Sequence, residues 1–136
     1  MSAVSPRRTL DQQRAAFAWE KVKEAKSEGN KNRGDKKSFD FSAYTNLAKS
    51  APSLVMSNGL MATLAFFEQK SGEAKALNRA LCAWLKERMP GRFQDPGYSS
   101  IMEGLHGLPS PDYLRATEEV LELLRWIRQF APTLKG

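Results

Sequence analysis

The 136-residue sequence has few of the side chains that catalytic and metal sites need. It contains one histidine, His106, and one cysteine, Cys82. One residue of each type cannot form a zinc site of the usual composition within one chain, and a single cysteine excludes an internal disulfide. No glycine-rich segment follows a strand pattern, so a phosphate-binding loop is not predicted. We therefore expect no enzyme, no catalytic residues, no metal and no cofactor.

Long apolar runs are also absent. No stretch approaches the roughly 18 apolar residues that a membrane-spanning helix needs. The first residues, MSAVSPRRTLDQQ, lack the apolar segment of a secretory signal. A single cysteine suits a reducing compartment. These features predict a cytoplasmic protein with no membrane partner.

Positive charge is in excess and concentrated near the start of the chain. There are 21 lysines and arginines against 15 aspartates and glutamates. Residues 1–37 hold 10 of the basic and 5 of the acidic side chains, a net charge of +5. This asymmetry suggests contact with a polyanion, although basic loops also serve solubility. The candidate nucleic-acid contacts in this part of the chain are Arg7, Arg8, Arg14, Lys21, Lys23, Lys26, Lys31, Arg33, Lys36 and Lys37.

Apolar residues recur at helical spacing and never alternate over the length of a strand. This pattern predicts an all-α fold, a single compact bundle of about six helices with no sheet. A capping-box pattern starts the first helix at Thr9 and leaves residues 1–8 as a flexible tail. That helix is expected to end near Gly29. Within the domain 9–136, the glycine- and lysine-rich residues 28–38 are predicted to form a mobile basic loop.

Two features divide the apolar middle of the chain. Pro52 lacks an amide hydrogen, so it is expected to end a short helix that Ser42 caps. Asn58 and Gly59 then allow two arrangements: Asn58 caps a new helix that Gly72 closes, or one helix continues with Gly59 inside it. In both arrangements, the apolar residues from Leu60 to Phe67 cover all sides of the helix, which predicts a helix at the centre of the core.

Three more helices are predicted in the second half of the chain. One covers residues 73–89 and stops at Pro90. A short helix around residues 99–106 is weakened by Gly104, because glycine disfavours a helix interior. The last helix begins at Ser110, a good N-cap residue.

The last helix has an apolar arc wider than half its circumference. Its polar side is predicted to be a solvated, salt-bridged surface formed by Arg115, Glu118, Glu119, Glu122, Arg125 and Gln129. So wide an arc indicates either burial deep in the fold, which we favour, or burial against a partner. In the second case the candidate protein-interface residues are Leu123, Trp126 and Phe130.

Two ordered motifs carry a family resemblance. The first comprises Tyr44, Ala48, Lys49, Pro52, Asn58, Gly59, Leu60, Thr63, Leu64, Ala65, Phe66 and Lys70. The second comprises Tyr113, Ala116, Thr117, Glu118, Glu119, Leu121, Leu124, Trp126, Arg128 and Phe130. In this order they resemble the small helical subunit of the type III-B CRISPR effector, the Cmr complex.

The resemblance implies a non-catalytic all-α subunit that acts in antiviral defence. Copies of such a subunit stack into an inner filament beside a large polymerase-like subunit and repeated backbone subunits. The implied partners are these subunits, further copies of the chain, and guide and target RNA, with no small-molecule substrate. Lys49 and Lys70 match the first motif and are further candidate RNA contacts, or else lysines that stabilise helix C-termini. The alternative function is a purely structural scaffold that contacts only protein.

The RNA role of the basic loop can be tested by replacing four of its side chains together with glutamate: Lys31, Arg33, Lys36 and Lys37. We expect the RNA affinity of the assembled complex to fall. For single-stranded RNA, each lost phosphate contact removes about 0.7 from the slope of log affinity against log salt. Filter binding at several salt concentrations measures both quantities. Unchanged affinity would exclude this loop from the RNA contacts.

Overall fold

The computed structural model describes residues 8–31, 39–70 and 72–134. They form six α-helices and two short 3-10 helices, and no strand occurs among them. The α-helices are α1 (Leu10–Lys31), α2 (Phe41–Asn58), α3 (Leu60–Glu68), α4 (Glu73–Arg88), α5 (Tyr98–His106) and α6 (Ser110–Phe130). The 3-10 helices are Pro90–Arg92 and Ala131–Leu134. The prediction of an all-α bundle without a sheet is confirmed.

Helix α6 is the central helix of the bundle and packs against α1, α2 and α4. Its inner side has no exposed surface and is formed by Ala116, Val120, Leu123, Leu124 and Ile127. The wide apolar arc of this helix is thus buried largely within the chain. Leu123, a candidate interface residue, is a core residue instead, because the neighbouring helices cover it completely.

The predicted capping box starts α1. The backbone N–H of Thr9 donates to Gln12 Oε1 at 2.7 Å, and the backbone N–H of Gln12 donates to Thr9 Oγ1 at 3.1 Å. The helix continues past Gly29, so residues 28–31 of the predicted loop are helical. Residues 1–7 of the predicted tail and 32–38 of the predicted loop lie outside the described residues.

Helix α2 contradicts two predictions. Pro52 lies inside the helix and does not end it. An interior proline costs about 3 kcal/mol, but Ala51 and Val55 on either side are buried, so tertiary packing holds the helix together. Ser42 is not the cap either. Asp40 precedes the helix, and its carboxylate accepts the backbone N–H of Ser42 at 3.0 Å.

Gly59 separates α2 from α3, so the prediction of a new helix at this point is correct, but Asn58 is not its cap and the continuous helix is excluded. Asn58 is the last residue of α2, and the backbone N–H of Gly59 donates to the Val55 carbonyl at 2.9 Å. The backbone of Gly59 has φ 90° and ψ 162°, a conformation that only glycine adopts without strain. Gly72 does not close α3, which ends at Glu68; it precedes α4 instead.

Helix α4 presents the predicted apolar face, and its members are all buried: Ala74, Leu77, Leu81, Trp84 and Leu85. Helix α5 follows close to its predicted position. Gly104 lies inside α5, and a β-carbon there would come within 2.7 Å of the Arg92 carbonyl oxygen and would overlap the Phe93 ring. Glycine at this position therefore allows Arg92 and Phe93 to pack closely against α5. Among the described residues, no helix has both the length and the apolar character needed to cross a membrane.

Substituting Gly104→Ala should destabilise the fold by about 2 kcal/mol, because the added methyl group overpacks the contact with Phe93 and the Arg92 carbonyl. Urea unfolding measures the change. Gly91→Ala is the matched control, since nothing lies within 4 Å of a β-carbon at that position. We expect it to change stability by less than about 0.5 kcal/mol. Equal effects at the two positions would contradict the close-contact explanation.

Candidate nucleic-acid interface

Arg14, one of the predicted RNA contacts, is held inside the fold. Its Nε donates to Glu119 Oε1 at 3.2 Å and its Nη2 donates to Glu119 Oε2 at 2.9 Å. Only 18% of the Arg14 side chain is exposed. A bidentate pair of this kind occupies the donors that a phosphate would need. Arg14 therefore joins α1 to α6, which argues against the predicted contact with RNA.

Glu119 is buried, although we predicted it on the solvated side of α6. Besides Arg14, the indole N–H of Trp84 donates to Glu119 Oε1 at 3.1 Å. The Nε of Arg88 lies 3.5 Å from Glu119 Oε2. Side chains from α1 and α4 thus converge on one carboxylate of α6. Helical spacing alone could not reveal this, because Glu119 lies at the edge of the apolar arc.

The pKa of Glu119 lies below its ordinary value. Burial by itself would raise this pKa, since a buried carboxylate is less well solvated. The hydrogen bond and charge of Arg14 outweigh that effect, helped by the charge of Arg88 and the hydrogen bond from Trp84. The carboxylate is therefore ionised at neutral pH and neutralises the cations around it.

The other cations of α1 do not share one face. Lys21 pairs with Glu24 at 3.4 Å, while Lys23 forms a similar pair within the helix. Lys26 lies over the ring of Phe41, with Nζ 5.2 Å from the ring centroid. Since each helical residue turns by about 100°, Lys21 and Lys26 point about 140° apart. These lysines belong to different flanks of the bundle.

The remaining candidates are also dispersed. Arg8 is exposed beside the start of α1, and Lys49 is exposed on α2. Lys70 is exposed after α3, with Nζ 4.9 Å from the centroid of the Phe66 ring. Lys31 ends α1, but its side chain is outside the described part of the structure. The candidates wholly outside it are Arg7, Arg33, Lys36 and Lys37.

A groove of about 600 Å³ between α1 and α4 brings cations together. Lys21 lines it from α1, and Lys75 and Arg79 line it from α4. Lys75 and Arg79 were not among the RNA contacts predicted from the sequence, although they lie one turn apart on the polar side of a predicted helix. Both are exposed and form no ion pair within the described part of the chain. Acidic side chains, including Glu24 and Glu68, also line the groove.

The basic segment between α1 and α2 begins and ends beside this groove. Glu28, one turn before the end of α1, lines the groove. At the start of α2, the backbone N–H of Asp40 donates to Glu73 Oε2 at 2.7 Å, which joins this end to the start of α4. The ends of α1 and α2 that flank residues 32–38 therefore lie near the start of α4, where Lys75 is.

Two candidate interface residues attach α6 to α1. Trp126 donates its indole N–H to Asp11 Oδ1 at 3.2 Å. The ring of Phe130 meets that of Trp19 edge-on, with centroids 5.3 Å apart. Both candidates are partly exposed. Only the part of each side chain that α1 leaves exposed is available for contact with a partner.

The single cysteine and the single histidine lie in different surroundings. Cys82 is buried, and this burial raises the pKa of its thiol to about 12, so it stays protonated at neutral pH. His106 is exposed at the end of α5. Within the described ranges, no group of three or more histidine, cysteine, aspartate or glutamate side chains could hold a metal ion.

Comparison with known proteins gives matches along nearly the whole chain. Residues 10–134 match the family model described as CRISPR-associated protein (Cas_Cmr5). The CRISPR system Cmr subunit Cmr5 of Thermus thermophilus is 35% identical over 132 residues, which cover 93% of this chain and 96% of that protein. The crystal structure of a CRISPR-associated Cmr5 family protein from Thermus thermophilus superposes with a TM-score of 0.69. It is 29% identical, and the match covers 95% of this chain and 100% of that one.

Substituting Glu119→Gln should lower the free energy of unfolding by about 3 kcal/mol, because two partly buried guanidinium groups lose their counter-ion. The pKa of Glu119 is depressed in the folded chain, so its stabilising contribution is complete above the ordinary value of 4.5. That contribution is lost as the pH falls through the lower folded-state pKa. The variant has no carboxylate at position 119 to protonate, so its free energy of unfolding should fall less than that of the wild type as the pH is lowered. Urea unfolding from pH 7 to pH 3 measures both effects.

Glu122→Gln is the matched control. Its carboxylate is 37% exposed and lies 3.8 Å from Arg14 Nη1. Exposed ion pairs contribute little, so we expect a loss of less than about 1 kcal/mol. Similar losses for the two variants would show that the buried carboxylate has no special role.

Proposed function

Since this chain belongs to the CRISPR-associated Cmr5 family, we propose that it is a non-catalytic small subunit of a Cmr effector complex that targets RNA. In this role, copies of the chain form an inner filament beside the large and backbone subunits. They support guide and target RNA through contacts with the phosphate backbone. The complex would act in the cytoplasm, in antiviral defence.

The observation that supports RNA contact is that cations of the described residues lie near the helix ends that flank the basic residues 32–38. Lys75 and Arg79 are exposed on the wall of the groove. The ends of α1 and α2 that flank residues 32–38 are near the start of α4. Lys26 lies near it, over the ring of Phe41 at the start of α2. Lysine and arginine contacts of this kind neutralise phosphates without reading the base sequence.

The proposed RNA surface differs from the predicted one. It keeps Lys21 and the basic loop and adds Lys75 and Arg79, while Lys26, about 140° from Lys21 around α1, borders this surface only at the start of α2. Arg8 and Lys49 remain separate candidates, because they lie on other parts of the bundle. Lys23 points away from the groove and pairs within α1.

A scaffold that contacts only protein is the second candidate function. One observation favours it: among the described residues, the large apolar side chains of Met56 and Phe66 are exposed. Exposed apolar surface is often a site of protein contact. If the chain were such a scaffold, replacing the groove cations would leave both its binding to partner subunits and the RNA affinity of the complex unchanged.

Replacing Lys75 and Arg79 together with glutamate distinguishes the two functions. If both contact phosphates, the RNA affinity of the assembled complex should fall by about tenfold or more, and the salt slope should decrease by about 1.4. Filter binding of single-stranded RNA at several salt concentrations provides both numbers.

The matched control replaces Arg115 and Arg128, two exposed cations of α6 outside the groove, with glutamate. It changes the net charge of the chain by the same amount. We expect a much smaller loss of affinity and an unchanged salt slope, because only long-range attraction is reduced. If the two double variants bind RNA equally well, the groove is not the RNA surface.

A further inference from the structure

Helix α3 is mostly apolar, yet the described residues of the chain cover only part of it. Leu60, Leu64 and Phe67 have no exposed surface. Ala62 is exposed, and Phe66 is 45% exposed. The sequence pattern predicted burial on all sides, and this prediction is wrong for the single chain. The covering helices α2, α4 and α5 leave one side of α3 open.

The open side, which we name the outer face of α3, consists of Met61, Ala62, Ala65 and Phe66. None of these side chains is polar, and a contiguous apolar face on a soluble chain marks a contact surface. The two alanines lie three residues apart and allow another backbone to come close. Met61 and Phe66 stand beside them as larger groups. This pattern of small and large residues suits the packing of a second helix.

The outer face is held in position before any partner binds. The hydroxyl of Tyr113 on α6 accepts the backbone N–H of Met61 at 3.1 Å. Near the other end, the side chain of Asn78 donates to the Leu64 carbonyl at 3.1 Å. A preformed surface loses little conformational entropy on binding, which favours its use as a docking site.

The charge beside the outer face is positive. Lys70 is exposed and lies against the Phe66 ring. The nearby carboxylate of Glu68 is turned towards Asn78, whose Nδ2 donates to it at 3.0 Å. A partner with a carboxylate would therefore be attracted. A second copy is less well suited, because each chain has a net charge of +6.

The size of the face sets the kind of contact. Helix α3 has nine residues and is about 14 Å long and about 10 Å wide. One side of it buries much less than the roughly 800 Å² per partner of a stable two-protein interface. The face would bind weakly alone, and it suits an assembly in which several contacts act together.

We propose that the outer face of α3 docks against an amphipathic helix of a different protein subunit of the effector complex. A carboxylate on that helix meets Lys70. This inference rests on the proposed function only because it places the chain within a multi-subunit assembly. It is independent of RNA contact at the groove.

A pair of substitutions at Ala62 tests the contact and its charge. Glutamate and arginine are both good helix formers and this position is exposed, so the fold should be unchanged, as circular dichroism will verify. Ala62→Glu should weaken retention of the chain by the other, immobilised subunits of the complex by about tenfold, because it places a larger, charged side chain where alanine lets the partner helix come close, and because its carboxylate repels that of the partner. Ala62→Arg should weaken retention less.

Leu114→Glu and Leu114→Arg are the matched controls, because Leu114 is 59% exposed on α6 and outside the outer face. We expect both to be retained normally. If Ala62→Glu has no effect, or if Ala62→Arg is the more damaging change, the proposal is wrong. Loss of retention in the Leu114 variants alone would place the docking surface elsewhere.

Zero-length carbodiimide crosslinking identifies the occupant directly. This reagent joins a lysine amine to a carboxylate in contact with it, with net loss of water. We expect mass spectrometry of the assembled complex to find Lys70 joined to an aspartate or glutamate in a helix of another subunit. A link to a second copy of this chain, or no link in a complex that retains the chain, overturns the proposal. If the wild-type chain is not retained at all, the proposed function itself fails.

Discussion

The carboxylate of Glu119 is buried where α1, α4 and α6 meet, and a charge is tolerated there only because Arg14, Arg88 and the Trp84 indole surround it. The three helices are therefore tied at one point. Close to it, the rings of Phe17 on α1 and Trp84 on α4 pack with centroids 4.9 Å apart. Towards the end of α1 and the start of α4, the two helices enclose the groove instead. The buried carboxylate and this ring contact thus join the two helices that line the groove.

The surface divides into two regions with different chemistry. Charged side chains line the groove, where Lys75 and Arg79 can meet phosphates without a fixed base sequence. The outer face of α3 is apolar and suits contact with a protein helix. In the proposed function, a small subunit of the complex uses both kinds of contact, and separate helices would provide them. No reactive group has to be positioned for either one, which agrees with the few histidines and cysteines in the chain.

Local signals predicted much of the fold. The Thr9 capping box and the buried face of α4 follow from interactions a few residues apart, and both are confirmed. Pro52 was misjudged because the packing of its neighbours outweighs the local cost of proline. The site was harder to predict. Arg14 was assigned to RNA from its charge alone, while its partner Glu119 lies 105 residues away in the sequence.

The order of residues alone determined the helical class, most helix positions and the family, since these depend on short-range spacing and on motifs that the chain itself carries. Only the tertiary structure decided which charges are free and which apolar residues are covered. The reason is physical: Glu119 is ionised and buried because of groups on other helices, and Phe66 is exposed because no helix of the described chain packs over it. Such properties depend on neighbours in space, which helical spacing does not specify.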